Sequence, residues 1–171
     1  MVREKALSEF PGYFIRDDGT VRLPSGKITR GSVQKTGYYT ITFEQRPVRV
    51  RRVHRLVAAA FVLNPRPDIF NIVDHIDHVR GNNNACNLRW LNTKINCLNR
   101  RSPCVHANGS RGWVVRLCRK YYGTYKNYEE ALECATALKK QRFARAYAEA
   151  LASEPPFKEC GTQTDETRLQ K

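Results

Sequence analysis

The 171 residues suffice for one ordinary domain or a few small modules, and a core of that size is stable on its own. Thirty Lys and Arg against sixteen Asp and Glu leave a formal net charge of +14, which points to nucleic acid as the partner. No apolar run nears the length of a bilayer span and no basic amphipathic helix shows a wide apolar face, so a membrane role is excluded.

In chain order, residues 1–53 predict β-structure. Tyr13-Phe14-Ile15-Arg16, Asp17-Asp18-Gly19-Thr20 and Val21-Arg22-Leu23 have the composition of strand, turn and strand. Tyr38 to Phe43 and Val48 to Arg51 alternate well, with a turn at Glu44 to Pro47. In Val48-Arg49-Val50-Arg51-Arg52 the valines are expected on one face and Arg49 and Arg51 on the other, so that Arg49, Arg51 and Arg52 present guanidinium groups to DNA phosphate. His54 to Val62 predicts a short helix of core residues ended by Asn64-Pro65, with His54 structural.

The next stretch is the most informative. Asn71-Ile72-Val73 is a short strand delivering Asp74 and His75 to its end, and His78 to Cys86 is loop. Asn87-Leu88-Arg89-Trp90-Leu91 is a second strand, and a helix capped by Asn92 or Thr93 carries Ile95, Asn96 and Leu98. Folded back, this unit brings the Asp74 carboxylate near the Asn96 side-chain carbonyl with His75 beside them. Two hard oxygens suit one divalent ion, Mg²⁺ or Mn²⁺. Zinc held by Asp74, His75, Asp77 and His78 is an alternative, but the spacing is unlike the usual structural sites.

Asp74-His75-x-Asp77, Asn82-Asn83, Asn87-Leu88-Arg89-Trp90 and Lys94-Ile95-Asn96, with His54-Arg55-Leu56-Val57-Ala58 upstream, resemble the HNH (ββα-metal) nucleases, most closely phage-type homing endonucleases. The resemblance implies a single metal held by Asp74 and Asn96, a water activated by His75, and Asn87 bracing the loop that orients the histidine. His78 stands where relatives usually turn with glycine. Phe10-Pro11-Gly12-Tyr13 resembles the β module that often precedes such cores.

Beyond the polar junction Arg100-Arg101-Ser102-Pro103, strands are predicted at Cys104–Ala107, Trp113–Leu117 and Lys120–Tyr122. A helix starts at Asn127, with Glu130 completing a capping-box-like start, and Ala131, Cys134, Ala135, Leu138 and Arg142 share one face. Trp113-Val114-Val115-Arg116-Leu117, Tyr122-Gly123-Thr124-Tyr125 and Glu129-Glu130-Ala131 resemble the APETALA-type DNA-binding domain. That resemblance implies that Trp113, Val115 and Leu117 pack on the helix while Val114 and Arg116 face DNA, with Arg111 and Arg119 as further contacts.

The expected protein is therefore α+β and modular. Residues 1–53 form a DNA-contacting β module, 54–101 the nuclease core, 102–150 the APETALA-type domain and 151–171 a flexible tail. The expected activity is metal-dependent cleavage of double-stranded DNA by a monomer. A DNA-binding regulator on a decayed nuclease scaffold is the alternative; its sign would be loss of Asp74, His75 or Asn96, and all three are present. The six cysteines include no Cys-x-x-Cys pair, and Met1 to Lys5 is not a signal peptide, so reduced thiols in a cytoplasmic protein are expected.

Overall fold

The computed structural model describes residues 1–44, 47–99 and 104–153. Four short antiparallel strands, β1 (Glu4–Ala6), β2 (Phe14–Arg16), β3 (Val21–Arg22) and β4 (Ile28–Thr29), follow one another in a single sheet. Ile15 pairs with Val21 and both are fully buried, which fixes the inward face. A second sheet holds β5 (Ser32–Val33), β6 (Tyr39–Phe43) and β7 (Arg49–Arg52). Gly31 links the two with φ +80°, where a Cβ would lie 2.2 Å from the Thr40 carbonyl oxygen, so only glycine fits.

The register of this second sheet corrects the expected face of β7. Ile41 and Phe43 point into the core, and their cross-strand partners are Arg51 and Arg49. Cross-strand partners share a face, so the two arginines lie on the inward side at the sheet's rim, where Arg51 sits 5.9 Å from the Phe10 ring centre. Val48 and Val50 are exposed instead. Arg52, paired with Thr40, projects from the outer face.

Helix α1 (Val53–Phe61) begins directly after β7 and buries Val53, His54, Val57 and Ala58, one face at helical spacing. Next come the hairpin of β8 (Ile72–His75) and β9 (Leu88–Leu91) and then α2 (Thr93–Leu98), the strand, loop, strand and helix expected. Asn92 caps α2 by accepting from the Ile95 amide at 2.9 Å. The 1–53 and 54–101 segments are not separate bodies: Phe10, Tyr13, Ile15, Val21, Ile41 and Phe43 share one core with α1, Val73 and Leu88.

The C-terminal unit has β10 (Val105–Ala107), β11 (Trp113–Leu117) and β12 (Lys120–Tyr125), backed by α3 (Tyr128–Ala152). Val115, Leu117, Ala131 and Ala135 form its core with Trp113 against them, as expected. Asn127 precedes α3 but accepts no capping bond; its side-chain Nδ2 donates to the Glu130 carboxylate at 3.1 Å. The helix runs on for 25 residues, and its second half leaves the small sheet. Phe143, Ala146, Tyr147 and Ala150 pack on Phe70, Leu91 and Ile95 of the nuclease core. Arg66 donates to the carbonyls of Ala150, Leu151 and Ser153, closing the end of α3 with the charge its dipole favours. The junction at 100–103 and the expected tail from 154 onward lie outside the described residues.

One shared core implies one unfolding transition for the first hundred residues. Phe43→Ala, at a fully buried ring stacked on Phe10 at 3.6 Å, is expected to cost about 3–5 kcal/mol. In a Trp113→Phe background, urea unfolding followed by Trp90 fluorescence should show the loss, although Trp90 stands on a different sheet.

Candidate active site

The end of β8 carries the chemistry. Asp74 and His75 are its last two residues, Asn87 closes a short 3₁₀ turn (Ala85–Asn87) just before β9, and Asn96 lies on α2. A cleft of about 510 Å³ is lined by Asp74, His75 and Asn96 together with Tyr38, His54, Arg52, Arg55, His78, Arg80 and Asn99. Three of the four residues expected to act thus face one space. Asn87 is buried beneath it.

His75 is only 5% exposed, and its Nε2 lies 3.0 Å from Oδ1 of Asn83, itself 5% exposed. An amide oxygen can only accept, so in the neutral ring Nε2 is the nitrogen that carries the proton and Nδ1 the one with the free lone pair. Among the described residues Asn87 makes no hydrogen bond to the ring. It donates to Asp77 and to the Asn82 carbonyl at 2.9 Å each and accepts from the Asp77 amide at 3.1 Å, locking the loop that holds Asn83. The Val79 amide and the Asn82 and Asn87 side chains pull the Asp77 carboxyl down to about 2. From the other side the β2–β3 turn presses on the loop. Gly19 has φ +86° and a Cβ there would come within 2.8 Å of Asn83, while the Ala85 amide donates to the Asp17 carbonyl at 2.8 Å. His78 adopts φ +61°, a conformation histidine takes more readily than most residues.

Asp74 is held through one oxygen. Nε and Nη2 of Arg89, at 3.0 and 2.9 Å, and Nδ2 of Asn99, at 2.7 Å, all converge on Oδ2. Oδ1 accepts no such bond among the described residues. It and the Asn96 side-chain oxygen are two hard donors among the residues lining the cleft, a pair that suits a magnesium-type ion keeping several waters and a substrate oxygen. No group of three or more His, Cys, Asp or Glu capable of holding a metal occurs among the described residues, so the zinc alternative has no support there.

The cleft wall is basic. Arg52, Arg55 and Arg80 line it, while Asp74, already paired with Arg89, is its one acid. Arg52 and Arg80 lie 5.1 and 5.0 Å from the Tyr38 ring centre, and that ring leans on His54 at 5.0 Å. Of the arginines singled out in β7, only Arg52 reaches this cleft; Arg49 and Arg51 stand on the sheet's other side. On the C-terminal sheet Arg116 is exposed beside Tyr121, and Arg111 and Arg119 are exposed in turns. Val114, flanked by His106 and Thr124 on the central strand, is buried and offers DNA no surface. Sequence reasoning assigned no site role to Tyr38, Arg55, Arg80, Arg89 or Asn99, and gave Asn83 no partner.

No family model matches the chain. It is 39% identical over 94 residues to an uncharacterized HNH endonuclease, L245, of Acanthamoeba polyphaga mimivirus, covering 54% of this chain and 28% of that protein. It is 34% identical over 101 residues to DNA endonuclease I-HmuI of Bacillus phage SP01, covering 57% of each. The HNH homing endonuclease I-HmuI, solved in a study of its DNA binding and cleavage, superposes with a TM-score of 0.51 at 32% identity over 57% of this chain and 56% of that one. The likeness is thus to HNH homing endonucleases, and this chain spans from about a quarter to somewhat over half the length of these relatives. An APETALA-type likeness for the C-terminal unit is not among these findings. No helix of the described residues is long and apolar enough to cross a membrane.

His54 gives a test of cleft burial. It is 3% exposed, its Nδ1 is buried without a partner, and burial, with His75, Arg52 and Arg55 nearby, pushes it down to about 3 from 6.5. The unfolded chain therefore binds more protons between those values, and stability falls as pH drops through that window, by up to about 1.4 kcal/mol per pH unit. Melting followed by circular dichroism from pH 7 to pH 4 should show this decline, and His54→Leu should make it shallower.

Proposed function

We propose that this chain is a metal-dependent DNA endonuclease that hydrolyses a phosphodiester with His75 as general base. The observation that carries the proposal is the buried His75–Asn83 hydrogen bond beside Asp74 and Asn96 in an arginine-lined cleft. The likeness to I-HmuI supports the same reading.

A phosphodiester entering the cleft meets Arg52, Arg55 and Arg80, which bind its oxygens and those of its neighbours with charge-assisted hydrogen bonds. In the neutral ring, whose tautomer the Asn83 contact selects, Nδ1 of His75 accepts the proton of the attacking water, and a histidine is suited to that task near neutral pH. Asp74, through Oδ1, and Asn96 would hold one divalent ion, Mg²⁺ or Mn²⁺. Such an ion, when bound, offsets charge on the phosphoryl and leaving oxygens as a Lewis acid. A single carboxylate gives modest affinity, so the substrate phosphate is expected to complete the shell and occupancy to rise with bound DNA. Arg116, Arg111 and Arg119 extend the contact along the duplex in the manner of an APETALA-type sheet. Arg49 and Arg51 contribute from the rim of the second sheet. One site per chain suits a monomer that nicks one strand.

The test is cleavage of supercoiled plasmid and of long genomic DNA by wild type, His75→Ala and Asp74→Ala with Mg²⁺, Mn²⁺ or EDTA. Metal-dependent nicking that drops by roughly 10²–10⁴-fold in His75→Ala and is lost in Asp74→Ala is the expected result. Tight DNA binding by wild type with no cutting in either metal on either substrate would favour the regulator instead.

A further inference from the structure

Three aromatic rings lead from the nuclease floor to a metal-site carboxylate, and two of them belong to α3. Phe70 stacks on Tyr147 at 5.4 Å, and Tyr147 is stacked with Phe143 at 6.2 Å and 8°. The Arg89 guanidinium lies 4.2 Å from the Phe143 ring centre, close enough for a cation–π contact, and its Nε and Nη2 both reach Oδ2 of Asp74. Asn99 takes the same oxygen. An unrestrained arginine prefers to fork across both oxygens of a carboxylate. Here both donors converge on Oδ2 beside the ring, and Oδ1 takes no bond from the described residues.

We infer that Phe143 is a positioning residue for the metal site: by stacking under Arg89 it keeps that arginine off Oδ1 of Asp74. The C-terminal helix is then a part of the cleavage machinery and not only the support of a second DNA-contacting sheet. Because Arg66 ties the end of α3 to the loop before β8 while its first half carries the small sheet, the two proposed DNA-contacting surfaces are joined through one helix whose Phe143 reaches Asp74 by way of Arg89. This inference rests on the nuclease reading for its consequence, but the contact it invokes can be measured without cleavage.

The experiment compares full-length wild type, Phe143→Leu and Tyr147→Leu. Leucine keeps apolar volume at 143 but removes the ring face, and Tyr147→Leu disturbs the same helix packing without touching Arg89. Two observables are recorded: the Arg89 Nε–H resonance of the protein alone, and Mn²⁺ half-saturation measured by electron paramagnetic resonance with uncleavable phosphorothioate DNA present. In wild type the Nε–H signal should be shifted upfield by the ring and slow to exchange. In Phe143→Leu it should return toward the free-arginine position, and Mn²⁺ half-saturation should rise roughly tenfold, the usual scale for losing an outer-shell partner. Tyr147→Leu should lower the melting temperature while leaving Mn²⁺ half-saturation within about twofold, well below that scale. An Arg89 signal that does not move in Phe143→Leu, or a metal shift no larger than that of Tyr147→Leu, overturns the inference. If wild type cuts no DNA in any metal the nuclease reading fails by itself, and the resonance and the Mn²⁺ titration still decide whether Phe143 orders the carboxylate.

Discussion

A buried imidazole can serve as a base only if its surroundings decide which ring nitrogen holds the proton, and in this chain a single amide oxygen makes that decision. Asn83 accepts from Nε2 of His75 in a place closed to water, where an unmatched polar group is costly, so the alternative tautomer is disfavoured. Much of the architecture around β8 converges on keeping Asn83 there. Asn87 and Asp77 lock the loop from within, and the β2–β3 turn, bound by Gly19 and Asp17, holds it from outside. The N-terminal strands thereby support the candidate site: they share a hydrophobic core with β8 and β9 and contact the loop that holds Asn83.

The order of elements was legible because the signals are local. Strand alternation, the Asx-rich loop, the cap at Asn92 and the helical face from Ala131 to Leu138 all depend on neighbours within a few residues. Asp74, His75 and Asn96 could be named from the HNH-like pattern, and the fold brings them to one cleft. What sequence misjudged depends on long-range pairing. The alternation of Val48 to Arg52 shows two faces but not which is inward, and that is set by Ile41 and Phe43 across the strand. Arg89 reads only as part of the motif, and Asn99 gives no signal, until the hairpin and α2 place both on Asp74. Phe143 gave no signal at all, since its partner lies more than fifty residues away.

The division into modules also changes. Sequence separates nuclease core from C-terminal sheet at a polar junction, yet α3 is long enough to belong to both. Its first half completes one small core, and its second half covers Phe70, Leu91 and Ile95, apolar groups the nuclease core would otherwise expose. A ββα unit of this size has limited surface of its own to bury. Covering its floor with a helix that also carries the small C-terminal sheet lets one element serve two cores. Arg52, Arg55 and Arg80 line the same cleft as Asp74 and Asn96, the proposed metal-binding pair.

The central claim is that Asn83 sets His75 as the base, and the most direct measurement is the pH–rate profile of single-turnover DNA nicking by wild type and Asn83→Asp at saturating Mg²⁺. A carboxylate facing Nε2–H stabilises the charged ring, so the acid limb of the variant's profile should move to higher pH. A limb that stays where it is in wild type, with the rate preserved, would contradict the account.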